Sequence, residues 1–207
     1  MLFEKYKIEQ VPVGRHTQRI QSDFILRQVP SWLNIDNAPS FSNNGIDFNG
    51  TAGLPDVDLS NAEQISVDIY NTHWASLPTN PSVKLVNGNK YIGILGNNFV
   101  YFDGTDTVVN ETMGVVDDRQ IWSWCNRVHV TDFHLGSKNI GIVIQPQYGY
   151  CHVIYNGEPV HSRKISDFTV NDTPLNIDFS GDWHWEIYTG GKSMHASGFD
   201  VEVQMNI

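Results

Sequence analysis

The sequence predicts an all-β protein, two antiparallel sheets stacked as a jelly-roll sandwich, on three observations. Apolar residues alternate with polar ones in about a dozen short runs. The runs are punctuated by Asn-Gly, Asp-Gly and proline, residues that suit tight turns. Almost nothing recurs with the 3.6-residue period of an amphipathic helix, so no crossover helices exist to join parallel strands, and Rossmann or α/β-barrel plans fail. Two stacked antiparallel sheets remain.

Along the chain, residues 1–38 differ from the rest. Lys, Arg and Gln concentrate there, Pro12 and Pro30 interrupt the segment, and Phe24-Ile-Leu26 is a short apolar run. The segment reads as an arm or a set of edge strands. An arm can pack on a second copy or lie across its own sandwich. Residues 39–207 read as the sandwich proper. Its first half has strands at 45–49, 64–70, 82–86, 91–95 and 98–102, with Asn87-Gly88-Asn89 and Asp103-Gly104 as hairpin turns. Its second half continues with 120–124, 127–131, 139–144, 149–155, 174–179, 184–188 and 199–207.

Several of these segments carry short motifs: Ile46-Asp-Phe-Asn-Gly50, Val57-Asp-Leu-Ser60 before Ile65-Ser-Val-Asp-Ile69, Ile154-Tyr-Asn-Gly-Glu-Pro-Val160, and the closing Phe199-Asp-Val-Glu-Val203. In these pieces, spread over residues 40–205, the chain resembles the laminin-G-like, concanavalin-A-like lectin/glucanase family. The resemblance implies a jelly-roll domain and a carbohydrate ligand. It also implies a metal at the sandwich edge in many members; no cofactor is expected here, with one calcium ion, without a ligand set, as the alternative. The family's usual Trp-His-His is absent here.

Composition sets outer limits. The 207 residues carry 13 Lys and Arg against 23 Asp and Glu, a formal charge of −10. That balance repels phosphate backbones and anionic lipid, so nucleic acid and membrane insertion are not expected. Met1-Leu-Phe-Glu-Lys-Tyr-Lys7 lacks an apolar h-region, and no secretory signal is expected. Only 17% of residues are charged, and Asn, Asp, Thr, Ser and Gly abound, a surface suited to neutral hydroxyl-rich partners. Cys125 and Cys151 read as buried free thiols inside strands.

A sugar-binding surface needs flat aromatic faces for the C–H faces of a ring, surrounded by amides and carboxylates for its hydroxyls. The platforms on offer are Trp74, Trp122, Trp124, Tyr148, Tyr150, Trp183 and Trp185. Trp74, with His73, falls in the predicted loop 71–80 and is expected exposed. Trp74→Ala should then abolish binding and leave the melting temperature nearly unchanged. Tyr148, in Gln145-Pro-Gln-Tyr-Gly149, has a similar setting. Trp183 and Trp185 share one strand face, as do Trp122 and Trp124, and each pair is either a platform or core. The candidate ligand-binding residues are therefore Trp74, His73, Tyr148, Trp183 and Trp185.

Catalytic and metal signatures are weak. Asp56-Val-Asp58, Asp103-Gly-Thr-Asp106 and Asp117-Asp118 match no EF-hand spacing and read as turn caps. The eight histidines form no zinc motif. The alternating carboxylates of the resembled glucanases are missing, as is Gly-x-Ser-x-Gly, so an enzyme is not expected. Two functions follow. One is a non-catalytic carbohydrate-recognition module for cell-surface or cell-wall polysaccharide, such as a phage tail or baseplate receptor-binding protein, homo-oligomeric and found on the virion or outside the cell after lysis. The other is a structural virion or appendage subunit with no glycan site. A protein of the producing cell's cytoplasm is the alternative location.

Overall fold

A computed structural model of the chain describes residues 6–11, 15–23, 29, 31–42, 45–74, 78–96, 98–113, 115–116, 119–120, 138–155 and 157–206. Trp122, Trp124, Cys125 and the expected strand at 127–131 lie outside these residues, as does Asp117-Asp118. The described residues form two antiparallel sheets facing each other across an apolar core, as the alternating pattern predicts. One 3₁₀ turn, Ile165–Asp167, accompanies them. Among the described residues no helix is long and apolar enough to cross a membrane.

In chain order the strands are β1 (Tyr6–Val11), β2 (Arg15–Asp23), β3 (Asn34–Ile35), β4 (Ser40–Ser42), β5 (Gly45–Phe48), β6 (Thr51–Gly53), β7 (Val57–Asp58) and β8 (Ala62–Trp74). Next come β9 (Ser82–Asn87), β10 (Lys90–Leu95), β11 (Asn98–Phe102), β12 (Thr107–Thr112), β13 (Val115–Val116) and β14 (Arg119–Gln120). The last are β15 (Lys138–Gln145), β16 (Tyr150–Tyr155), β17 (Glu158–Lys164), β18 (Thr169–Val170), β19 (Thr173–Pro174), β20 (Asp182–Tyr188), β21 (Met194–Ala196) and β22 (Gly198–Asn206).

The first sheet has ten strands, seven in the order β1-β2-β22-β8-β15-β16-β17, with β21 pairing on the last residues of β8 and followed by β5 and β4. The second has eight, β12-β11-β10-β9-β20-β6-β3, with β7 beside β20. β13–β14 and β18–β19 are separate two-stranded ladders. The segment expected as an arm thus contributes β1 and β2, which extend the ten-stranded sheet from β22.

Alternation explains what each sheet buries. From the ten-stranded sheet, Ile65, Val67 and Ile69 of β8, with Phe199, Val201 and Val203 of β22, point inward. From the eight-stranded sheet Leu85, Ile92, Ile94, Phe99, Trp183 and Trp185 meet them, all 1% exposed or less. Each such side chain contributes on the order of 1.5–3 kcal/mol through burial. The β9–β10 hairpin closes on Gly88-Asn89, where Gly88 adopts φ 54° in the left-handed region that a two-residue turn requires.

One long edge of the sandwich, where β12 of one sheet faces β17 of the other, is closed by charge. Glu111 sits on the same face of its sheet as Phe99, its register partner in β11. Arg163 donates to it through Nε at 2.9 Å and Nη2 at 2.8 Å, a two-pronged contact between the sheets. That contact holds the Glu111 carboxyl below its usual range. His161, 7% exposed, lies beside it with Nε2 3.5 Å from Glu111 Oε2 but without a hydrogen bond among the described residues.

Candidate functional site

The expected aromatic platforms end up in different places. Trp74 does not lie in a loop: β8 runs through it, and it is 3% exposed. The cause is Asn71, whose φ of 53° places it in the left-handed region and shifts the register of β8 against β15. Asparagine tolerates that conformation, and here Asn139 Oδ1 accepts from its backbone N–H while its side chain donates to Ser197 Oγ. One extra residue reverses the alternation. Thr72 and Trp74 therefore turn into the core, and the Trp74 indole donates to the Thr189 carbonyl at 2.9 Å.

Trp183 and Trp185 are core residues as well, 0% and 1% exposed, because both take the inward positions of β20. Neither offers a face to a ligand. His73 is half-buried at the end of β8, its ring stacked on His195 at 4.6 Å between centroids. His195 is itself fixed by Asp47 at 3.0 Å. Of the five expected residues only Tyr148, 54% exposed, presents an open ring. It lies in the turn after Gln145, at the Gln64 end of β8, whereas His73 lies nine residues along that strand, roughly 30 Å away at strand rise. The expected residues do not converge on one site.

What does converge lies on the outward side of the eight-stranded sheet, on residues that alternate with the buried indoles. His184, Glu186 and Tyr188 are the outward positions of β20. Register sets them into rows across the sheet. In one row His184 pairs with Val86, Val86 with Tyr91, and Tyr91 with Phe102. In the next, Gly53 pairs with Glu186, Glu186 with Lys84, Lys84 with Gly93, and Gly93 with Val100. In the third, Tyr188 pairs with Ser82, Ser82 with Leu95, and Leu95 with Asn98.

The first row carries the aromatic surface. Tyr91 and Phe102 stack at 5.2 Å with 23° between their planes, both part-exposed. Lys84 Nζ stands 4.6 Å from the Tyr91 ring centroid, a cation–π distance, and 3.7 Å from Glu186 Oε2. Glu186 Oε1 lies 3.4 Å from His184 Nε2, and His184 Nδ1 lies 3.0 Å from Asp56 Oδ1. Donors and acceptors therefore run unbroken from the rings to Asp56.

The middle row is low at two points because it carries glycine there. At Gly93 the strands approach so closely that a Cβ would strike the Val83 carbonyl oxygen. Rows one and three stand four residues apart along the strands, roughly 13 Å. Tyr91 and Phe102 stand on one side of this row and Tyr188, 38% exposed, on the other, with Glu186 and Lys84 between the two glycines. Val100, next to Gly93 in the middle row, and Val86, between His184 and Tyr91 in the first, are buried on the same side of the sheet.

Of the aspartates considered for calcium, Asp58 and Asp103 act as turn caps, while Asp56 faces His184. Asp103 Oδ1 accepts from the backbone N–H of Thr105 and Asp106, and Asp58 Oδ1 from Ser60, which holds both carboxyls below their usual range. Among the described residues no group of three or more His, Cys, Asp and Glu side chains could hold a metal ion. Cys151 is a buried free thiol, its pKa pushed up by desolvation.

No family model matches the chain. No curated protein matches it in sequence. Solved structures match it in fold. The CBM2 module of the evolved Dit of Lactobacillus casei BL23 phage J-1 superposes with a TM-score of 0.52 at 11% identity, over 94% of this chain and 99% of that one. A native glycosidic hydrolase gives 0.52 at 8% identity, over 89% and 94%. The carbohydrate recognition domain of Emp46p in its potassium-bound form gives 0.45 at 6% identity, over 83% and 88%. Identities this low describe a shared fold alone, the two-sheet antiparallel jelly-roll sandwich.

Proposed function

We propose that the chain is a non-catalytic carbohydrate-recognition module that lays a glycan strand along the outward side of its eight-stranded sheet, as the receptor-binding part of a phage tail or baseplate. One observation carries this reading: two stacked aromatic rings lie beside a continuous chain of polar groups, Lys84-Glu186-His184-Asp56, on an outward sheet surface lowered at Gly53 and Gly93. The Tyr91 and Phe102 rings would take the apolar face of a pyranose, and the charged groups would exchange hydrogen bonds with its hydroxyls. The fold shared with a CBM2 module of a phage Dit is the ground for placing the recogniser on a virion.

Recognition fits the carboxylates better than hydrolysis does. A glycosidase sets an acid and a second carboxylate on either side of the scissile bond. Here Glu186 stands between Lys84 and His184, and the imidazole separates it from Asp56. Affinity per site should be weak, because each hydroxyl gives up water for every bond it makes. Copies assembled on one particle would raise avidity a hundredfold or more.

The test is a binding screen of the purified protein against cell-wall and storage polysaccharides, with and without calcium, following both retention and ligand chain length. Selective binding without shortening of the ligand, lost at least tenfold in Tyr91→Ala, is the expected result. Shortened ligand would make the protein an enzyme. No binding from a folded sample would shift the assignment to a structural virion subunit.

A further inference from the structure

The other side of the sandwich carries a second concentration of exposed aromatic surface. Tyr150 is 38% exposed at the start of β16, and Tyr148 stands in the turn that leads into it. Cys151 and Val153 point into the core, so Tyr150 and His152 point outward from the ten-stranded sheet. Their rings are nearly parallel, 7° apart with centroids at 6.0 Å. Ser162 Oγ lies 2.9 Å from His152 Nδ1 and sets the ring's orientation. Burial holds the His152 imidazole below its usual pKa, so it stays uncharged at neutral pH.

Beside Tyr150 the sheet presents a row of amides. Tyr150 pairs with Gln145, whose side chain donates to Gln64 Oε1 at 3.2 Å, and Gln64 pairs with Gln204. A carboxamide has two donor hydrogens and an acceptor oxygen, so the Gln145–Gln64 bond leaves further N–H groups for an incoming hydroxyl. Charged groups stand beside the amides: Lys164 lies across from Tyr150, and Glu202 accepts from Gln204 at 2.9 Å. The other face joins its three ionic side chains and an imidazole in one chain; here amides and phenols stand between the charged groups.

We propose that the Tyr150 surface is a separate binding site for a neutral sugar chain, stacked on Tyr150 and hydrogen-bonded along Gln145 and Gln64. It rests on the glycan reading for the class of ligand but not for the location. The amides carry no charge and the charged groups beside them, Lys164 and Glu202, are of opposite sign, so the surface as a whole suits a neutral ligand. The two surfaces lie on opposite sides of stacked sheets, so one rigid glycan strand cannot cover both, and a single copy of the chain bridges two strands.

The experiment is calorimetric titration of the purified protein, its solution mass recorded, with neutral oligosaccharides: hexamers of β-glucan, mannan and galactan. The expected result is two equivalents per chain, one of them lost in the Tyr148→Ala/Tyr150→Ala double variant and the other lost in Tyr91→Ala. Gln145→Ala is the second probe and should weaken the first site at least threefold with unchanged melting temperature. If the double variant, folded, keeps every equivalent that the wild type binds, the Tyr150 site is refuted while the reading of the opposite face stands. If only the Tyr91→Ala variant keeps full binding, the opposite face fails and the Tyr150 site stands. Absence of heat with every hexamer overturns both.

Discussion

Within seven residues, β20 presents two unlike surfaces. Its inward side carries Trp183 and Trp185, and its outward side His184, Glu186 and Tyr188. The inward side is held by area and close packing; the outward side is held by ion pairs and hydrogen bonds to Asp56 and Lys84. Residue type alone therefore misleads. An indole suits a sugar, but on the inward parity of a strand it is core, and the groups that can meet a ligand are the polar residues between the indoles.

The contrast breaks if inward and outward substitutions act alike. Trp185→Ala should give the largest effect, a loss of about 3–5 kcal/mol of stability from cavity formation. Its indole N–H has no partner among the described residues, so the whole loss is one of packing. Chemical denaturation measures it, and glycan affinity of the fraction that remains folded should be unchanged. A stable Trp185→Ala protein that has lost only binding would reverse the assignment of the two sides.

Trp74→Phe sharpens the same contrast with a smaller change. Phenylalanine keeps most of the ring volume but removes the donor to Thr189 O. The expected loss is about 1–3 kcal/mol, the range for leaving a buried acceptor unsatisfied. This replaces the expectation that a substitution at Trp74 would remove binding at constant melting temperature; burial makes stability the quantity that moves.

Much of this was legible from alternation alone. Strands expected at 82–86, 91–95 and 98–102 are β9, β10 and β11, because each has strong apolar positions on one parity and a turn residue at its end. β12 and β17 escaped because they are edge strands: Thr107–Thr112 and Glu158–Lys164 carry charge or hydroxyls where a central strand carries Val or Ile. The stretch 174–179 misled in the opposite way. Ile177 and Phe179 are buried with the right alternation, yet only Thr173–Pro174 pairs, and the segment packs on the core without a ladder.

The candidate site was less legible, for two reasons. A left-handed Asn71 inverts the parity of everything after it in β8, and no pattern of apolar residues announces that. The rows that bring Glu186 to Lys84 and Tyr91 to Phe102 depend on cross-strand register, which joins positions far apart in the chain, 102 residues in the case of Lys84 and Glu186. The available signal was the polar parity of 182–188, where His184, Glu186 and Tyr188 alternate with two tryptophans.

Between the two sides lies the edge closed by Glu111, Arg163 and His161, and acid should act there with the smallest effect. Arg163 holds the Glu111 carboxyl low, so this contribution is complete above the unfolded value of 4.5 and fades as pH falls toward the lower folded value. Desolvation holds the His161 imidazole low, so the unfolded chain takes up a proton first, below 6.5, and stability falls there too. The two contributions have the same sign and different windows. Arg163 is 44% exposed on its side chain, so Arg163→Ala should cost only about 0.2–1 kcal/mol at pH 7. Melting curves from pH 7.5 to 4 should show a first decline beginning near pH 6.5, absent in His161→Phe, and a second below 4.5, reduced in Arg163→Ala. Stability that rose on acidification through 6.5 would mean that His161 is held charged by Glu111, with attraction outweighing desolvation at this edge.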